Sequence, residues 1–201
     1  MAKVYAIDGV VPVIDPSAFV HPDAVLIGDV IVGAGCYVGP GASLRGDMGR
    51  IELGAGSNVQ DNCILHSYPS GSCVVEQDGH VGHGAILHGC RVERNALVGM
   101  HAVVMDRAVV GAESIVAALA LVRAGFAVPP RTLVGGVPAK VMRELDDKDV
   151  AWKSQGTHEY QELARRSLAT LRPATPLSAP EAERKAVHSG SYDPLHVSRA
   201  R

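Results

Sequence analysis

Large aliphatic side chains recur along this chain with a period of six. Val20, Leu26, Val32, Val38 and Leu44 follow one another at that spacing. The frame resumes at Leu53, Val59 and Leu65, again at Val75, Val81 and Leu87, and then runs through Val92, Val98, Val104, Val110 and Val116. Two positions before most of these anchors stands a small residue: Ala18, Ala24, Cys36, Ala42, Ser57, Cys63, Cys73, Ala85, Cys90, Ala96, Ala102, Ala108 or Ser114. A strand repeats every two residues and a helix every 3.6, so neither produces this spacing. A triangular coil of three short parallel strands does, with one aliphatic residue filling each corner and a small residue beside it. Successive coils stack at the sheet spacing, so three hexapeptides rise about 4.8 Å along the axis.

After Val116 the pattern lapses through residues 117–145. Gly135, Gly136 and Pro138 form a turn. Asp146 and Asp147 then mark the start of a helix that runs to about Leu171. Val150, Trp152, Tyr160, Leu163, Leu168 and Leu171 supply its packing face, directed along the solenoid or onto a neighbouring molecule. From Arg172 the composition turns to Pro, Ala and Ser, with little core-forming power. The expected division is a solenoid with a short N-terminal strand over 1–135, a turn and helix over 136–171, and a Pro/Ala/Ser-rich tail over 172–201.

Composition agrees with a narrow repetitive core: 22 glycines stand against one Trp, five Tyr and two Phe in 201 residues. A net charge of −2 gives no footprint for nucleic acid or for an anionic membrane surface. The segment MAKVYAIDGV lacks the basic-then-apolar order of a signal peptide, and no apolar run approaches the roughly 18 residues of a membrane span. A cytoplasmic location is expected. All four cysteines, Cys36, Cys63, Cys73 and Cys90, occupy the small inward position without C-x-x-C spacing, so they read as buried apolar residues and not as ligands or disulfides.

Five of the nine histidines lie between residues 66 and 101, and their phase is informative. His66 follows the corner Leu65 and His88 follows Leu87, 22 residues on. The step from Leu65 to Val75 is ten instead of six, and removing that insertion leaves 18, one full coil. The two imidazoles should therefore stack on one face, roughly 5 Å apart, close enough to share a metal. Arg45, which follows Leu44, falls in the same column once the three-residue insertion before Leu53 is removed. Asp61 and His83, two residues after Val59 and Val81, form a second column near a different corner. His83 is then too far around the prism to join His66 and His88 in its own chain. In a homotrimer of parallel solenoids it could do so across an interface, two ligands in cis and one in trans.

The segments LRGD (44–47), VQDNCILH (59–66) and HVGHGAILHGC (80–90) resemble the signature of the γ-class carbonic anhydrases and their relatives. The resemblance covers residues 10 to about 145. It implies an all-β fold, a left-handed parallel β-helix of hexapeptide repeats with a C-terminal α-helix, its handedness an exception to the right-handed crossover rule. It also implies that His66, His83 and His88 bind metal, that Arg45 and Asp47 belong to an intersubunit ion pair, and that Gln60, beside Asp61, orients a metal-bound water. Further segments, VVEQDGHVGHGAILHGC (74–90), NALVGM (95–100), AVVMDRAVVGAESIV (102–116) and WKSQGTHEYQELARRS (152–167), are similar to the phenylacetate-catabolism branch and its carnitine-operon relative. For the phenylacetate branch the implied activity is hydrolysis of ring-acyl-CoA thioesters. Two departures stand out. The loop HSYPSGSCV lacks the acidic insertion that carries a proton-shuttling glutamate in the fastest carbonic anhydrases, and His101 stands where relatives place Gly or Asn.

Three neutral imidazoles and a water make an open catalytic site for Zn²⁺, with Fe²⁺ or Co²⁺ also compatible. Such a cation lowers the pKa of its water to about 7, and the hydroxide can attack CO₂ or a thioester carbonyl. Three functions follow. One is a metal-dependent acyl-CoA thioesterase. Another is a γ-class carbonic anhydrase acting on CO₂/bicarbonate. The third is a hexapeptide acyltransferase, suggested by GGVPAK (135–140), in which a histidine serves as general base without metal.

Overall fold

The computed structural model describes residues 2–187. It is a left-handed parallel β-helix with one C-terminal helix, and most of its strands are two residues long. One face of the prism stacks Phe19–Val20, Tyr37–Val38, Asn58–Val59, His80–Val81, Leu97–Val98, Ile115–Val116 and Thr132–Gly135 in order. A second stacks Ser43–Leu53, Ile64–His66, Ile86–His88, Val103–Val104 and Leu121–Val122; the third carries Ser72–Val75, Arg91–Val92, Val109–Val110 and Ala127–Val128. The long strands Val25–Val32 and Ser43–Leu53 run unbroken around one corner, so the second and third faces join into a single sheet. There the insertion after Leu44 is absorbed with a register shift between Gly28 and Val30, and Val30 and Ile51 add a further buried pair.

The six-residue frame is the core. Every anchor from Leu26 to Val116 is at most 1 % exposed, and the small residues beside them are buried too. Each such aliphatic side chain contributes on the order of 1.5–3 kcal/mol by leaving water. The frame does not lapse after Val116, as the sequence suggested. Val122, Val128 and Val134 continue it, with Ala120, Phe126 and Thr132 in the neighbouring position. Apolar residues also fill outward positions here, as at the exposed Leu119, and that hides the period. An unforeseen strand, Lys140–Glu144, then turns back antiparallel to Thr132–Gly135 and closes this end. All four cysteines are free and buried, and burial pushes the Cys63 thiol up to about 11.

The helix spans Asp147–Thr170. Asp146 is its N-cap, and a reciprocal bond with Asp149 completes a capping box. It runs back along the solenoid, and Ala164 packs with Phe19 and Tyr37 of the early coils. The expected packing face holds in part. Tyr160 and Leu163 pack with Ala164 against Phe19 and Tyr37, whereas Leu168 and Leu171 are exposed and Asp149, Lys153, Gly156 and Thr157 are buried in addition. The solenoid directs most of its aliphatic residues inward, so elsewhere the helix docks by hydrogen bonds. Lys153 Nζ donates to Asp78 O and Asn95 Oδ1, and Gln161 Nε2 donates to Gly56 O and Asp78 Oδ1. Residues 172–187 are exposed and carry no helix or strand; the rest of the tail lies outside the described residues. No helix among the described residues is long and apolar enough to cross a membrane.

Candidate functional site

The coil register brings His66 and His88 together. They are partners in the parallel pairing of Ile64–His66 with Ile86–His88, their ring centroids are 5.2 Å apart, and His66 Nδ1 lies 3.3 Å from His88 Nε2. The outer nitrogen of each ring meets a carboxylate: His66 Nε2 with Asp47 Oδ1 at 2.9 Å, His88 Nδ1 with Asp106 Oδ1 at 2.6 Å. Arg45 Nη1 donates to Asp47 Oδ2 at 2.7 Å within the same chain. A cleft of about 450 Å³ opens beside His88, Tyr68, Asp106 and Arg107.

These contacts fix the tautomers. An ionised carboxylate only accepts, so the proton sits on His66 Nε2 and on His88 Nδ1. The two nitrogens facing each other are then both lone-pair acceptors. Two neutral rings cannot hydrogen-bond there; a proton shared between them, or a metal ion bound by both, would resolve the repulsion. Two nitrogens bound tetrahedrally at zinc distances stand roughly 3.3 Å apart, which matches the separation found. Carboxylates holding the far nitrogen are the usual support of a metal-binding histidine. The residues present therefore fit a metal ion.

His83 lies in the turn after His80–Val81, on another part of the prism. Its Nδ1 pairs with Asp61 Oδ2 at 2.8 Å, and Tyr160 Oη lies 3.4 Å from its Nε2. It shows the same arrangement, one nitrogen held by a carboxylate and one left to accept. Among the described residues no group of three His, Cys, Asp or Glu side chains could hold a metal ion within one chain. A three-histidine set thus needs a second chain.

Gln60 is 2 % exposed, and both ends of its amide are engaged. Oε1 accepts the backbone N–H of His83 at 3.2 Å, which orients the amide, since a backbone N–H can only donate. Its Nε2 donates to Asn58 Oδ1 and to His80 Nε2 at 2.7 Å. His80 must then carry its proton on Nδ1, facing Thr157 Oγ1 of the helix. Burial, with Lys153 and His83 nearby, pushes His80 down to about 3, so it is neutral. The chain Thr157–His80–Gln60 ties the helix to the backbone of His83.

Sequence reasoning missed Asp106, Tyr160 and His80. Asp106 stands 18 residues after His88, so the coil arithmetic could have found it. Tyr160 comes from the helix, whose register against the solenoid has no sequence signal. His101 takes a left-handed conformation with φ of 55°, one that Gly or Asn adopts more readily.

A family model for the bacterial transferase hexapeptide (six repeats) matches residues 12–46. The carnitine operon protein CaiE of Salmonella agona (strain SL483) is 56 % identical over 180 residues, covering 90 % of this chain and 91 % of its own length. The CaiE of Proteus sp. (strain LE138) is 53 % identical over 182 residues, 90 % and 92 % of the two chains. Among solved structures, a Bacillus cereus protein named provisionally as an acetyltransferase aligns with a TM-score of 0.82 at 35 % identity, covering 84 % of this chain and 98 % of that one.

Proposed function

The chain belongs to the hexapeptide-repeat family that includes the carnitine operon protein CaiE, and from that premise we propose that it is a metal-dependent hydrolase of acyl-CoA thioesters, working as a homotrimer. Each interface would join His66 and His88 of one chain to His83 of the next. The observation that carries this reading is the pair of acceptor nitrogens, His66 Nδ1 and His88 Nε2, facing each other at 3.3 Å. The relatives' name states no reaction, so the choice of thioester hydrolysis rests on the sequence resemblance to the phenylacetate branch and on the chemistry of the site.

A bound Zn²⁺, or Fe²⁺ or Co²⁺ in its place, would supply Lewis acidity and a water whose pKa is lowered to about 7. The chain's own residues do the rest. Asp47, Asp106 and Asp61 hold the three imidazoles in the tautomers that leave a lone pair free. Arg45 balances the charge of Asp47. Gln60 fixes the backbone at His83, and the Tyr160 hydroxyl, 3.4 Å from His83 Nε2, would turn away from that nitrogen when it binds metal. In the overall reaction water adds OH to the acyl carbon, the C–S bond breaks, and the thiol leaves with the proton.

The test is a metal analysis followed by assays. Close to one transition metal per chain is expected, with thioester hydrolysis lost on chelation and restored by metal. Stopped-flow hydration of CO₂ should be weak, because the stretch His66–Val74 contains no acidic side chain to shuttle protons. Full activity in a verified metal-free preparation would overturn the site. Fast CO₂ hydration without thioesterase activity would make the chain a γ-class carbonic anhydrase, and metal-independent acyl transfer would make it an acyltransferase.

A further inference from the structure

The helix Asp147–Thr170 does not lie flush on the solenoid. Between its Trp152–Tyr160 stretch and the strands Leu97–Val98 and Ile115–Val116 lies a cleft of about 490 Å³, a volume typical of small-ligand sites. The sheet order stacks its wall in four levels. Gln60 belongs to the first, His80 and His83 to the second, Leu97 and Met100 to the third, Ile115 and Ala118 to the last. At the first two levels the polar groups bond to one another and to the Tyr160 hydroxyl. The solenoid wall of the next two levels offers only apolar side chains and backbone, over roughly 10 Å along the axis. The helix covers this part with Trp152, and Glu159 is the one acidic side chain in the lining.

Such a cleft, polar at the end that holds His83 and apolar beyond, suits a ligand with one reacting polar end and an apolar body. We propose that it binds the acyl group of the substrate, so that the protein selects medium-length acyl groups over acetyl. This rests on the reading of His83 as part of the hydrolytic site. The CoA portion, with its phosphates, is a poor occupant, because among the described residues no Lys or Arg lines the cleft.

Trp152, the single tryptophan of the protein, lines the cleft, so its emission responds to changes there. The purified oligomer is titrated with octanoate, acetate and CoA while its emission is followed. Octanoate should give a saturable change, acetate little and CoA none. Octanoyl-CoA should exceed acetyl-CoA in kcat/KM by at least about tenfold, the scale set by even one methylene in an apolar pocket. Ala118→Phe and Met100→Glu change exposed turn positions of the wall without disturbing the core. Each should weaken octanoate binding and lower the octanoyl-to-acetyl ratio by about tenfold, with metal content retained. A saturable response to CoA but not to octanoate would overturn the proposal. So would no response to either together with equal hydrolysis of both thioesters. Saturable octanoate binding without hydrolysis of any thioester by the metal-loaded protein would sink the hydrolase reading and leave the cleft assignment standing.

Discussion

Asp106 shows what a single side chain contributes here. Its carboxylate holds His88 Nδ1 at 2.6 Å and thereby aims the Nε2 lone pair at His66. Asp106→Ala should leave the fold intact and weaken metal retention by about 10–100-fold, the usual cost of removing such a support. Asp106→Asn, which keeps an acceptor oxygen, should lose less. Titration against a competing chelator measures both, and unchanged affinity in Asp106→Ala would show that His88 does not depend on it. The pairs His66–His88 and Asp61–His83 were legible in the sequence, because in a solenoid phase along the chain is position on a face. Asp47 was marked only by the family resemblance, and its contact with His66 was not foreseen. It lies within the insertion at the corner, where counting in sixes loses its meaning. Gln60 was read as orienting a water; its buried amide also accepts the backbone N–H of His83, so it supports the site through that backbone as well.

At the scale of elements, the coils were readable through Val116 and the helix limits nearly to the residue, because the corner pattern and the Asp cap are local signals. The coils after Val116 were hidden by apolar residues on the outer surface, and the helix face was read in part: Tyr160 and Leu163 pack on Phe19 and Tyr37, while Leu168 and Leu171 are exposed. An aliphatic stripe normally points to a core, but much of this helix docks on polar turns. Lys153 is central to that docking. It is 1 % exposed, and burial pulls its ammonium from the ordinary 10.5 down to about 7. As a neutral amine it still has donors for Asp78 O and Asn95 Oδ1. Between about pH 7 and 10.5 the unfolded chain binds a proton at this site that the folded chain does not, so its contribution to stability rises with pH across that window. That contribution is complete above 10.5 and lost as pH falls through about 7. The slope is at most about 1.4 kcal/mol per pH unit. Denaturation at pH 7, 8 and 9 should show a shallower dependence for Lys153→Met than for the wild type. Equal slopes would mean that Lys153 stays charged in the fold.

The whole molecule is where the site is completed or fails. His66 and His88 stand on one edge of the prism with their lone pairs converging, while His83 has partners of its own, Asp61 and Tyr160, on another. If a trimer joins those edges, each chain gives half of two different sites. Two inactive variants, His83→Ala and His66→Ala, should then complement when mixed under conditions that allow subunit exchange. In any mixed cyclic trimer one interface pairs an intact His66/His88 edge with an intact His83 edge, whichever variant is in the majority. Random mixing of equal amounts makes about three-quarters of the trimers mixed, each with one working site in three, so activity should recover to roughly a quarter of wild type. A chain carrying both substitutions, mixed with either single variant, should recover nothing. His66→Ala mixed with His88→Ala should also fail, since both lesions lie on the same edge. Failure of the first pair after exchange has been demonstrated would mean that the histidines are not shared between chains. The converging nitrogens of His66 and His88 would then have to complete their coordination without His83.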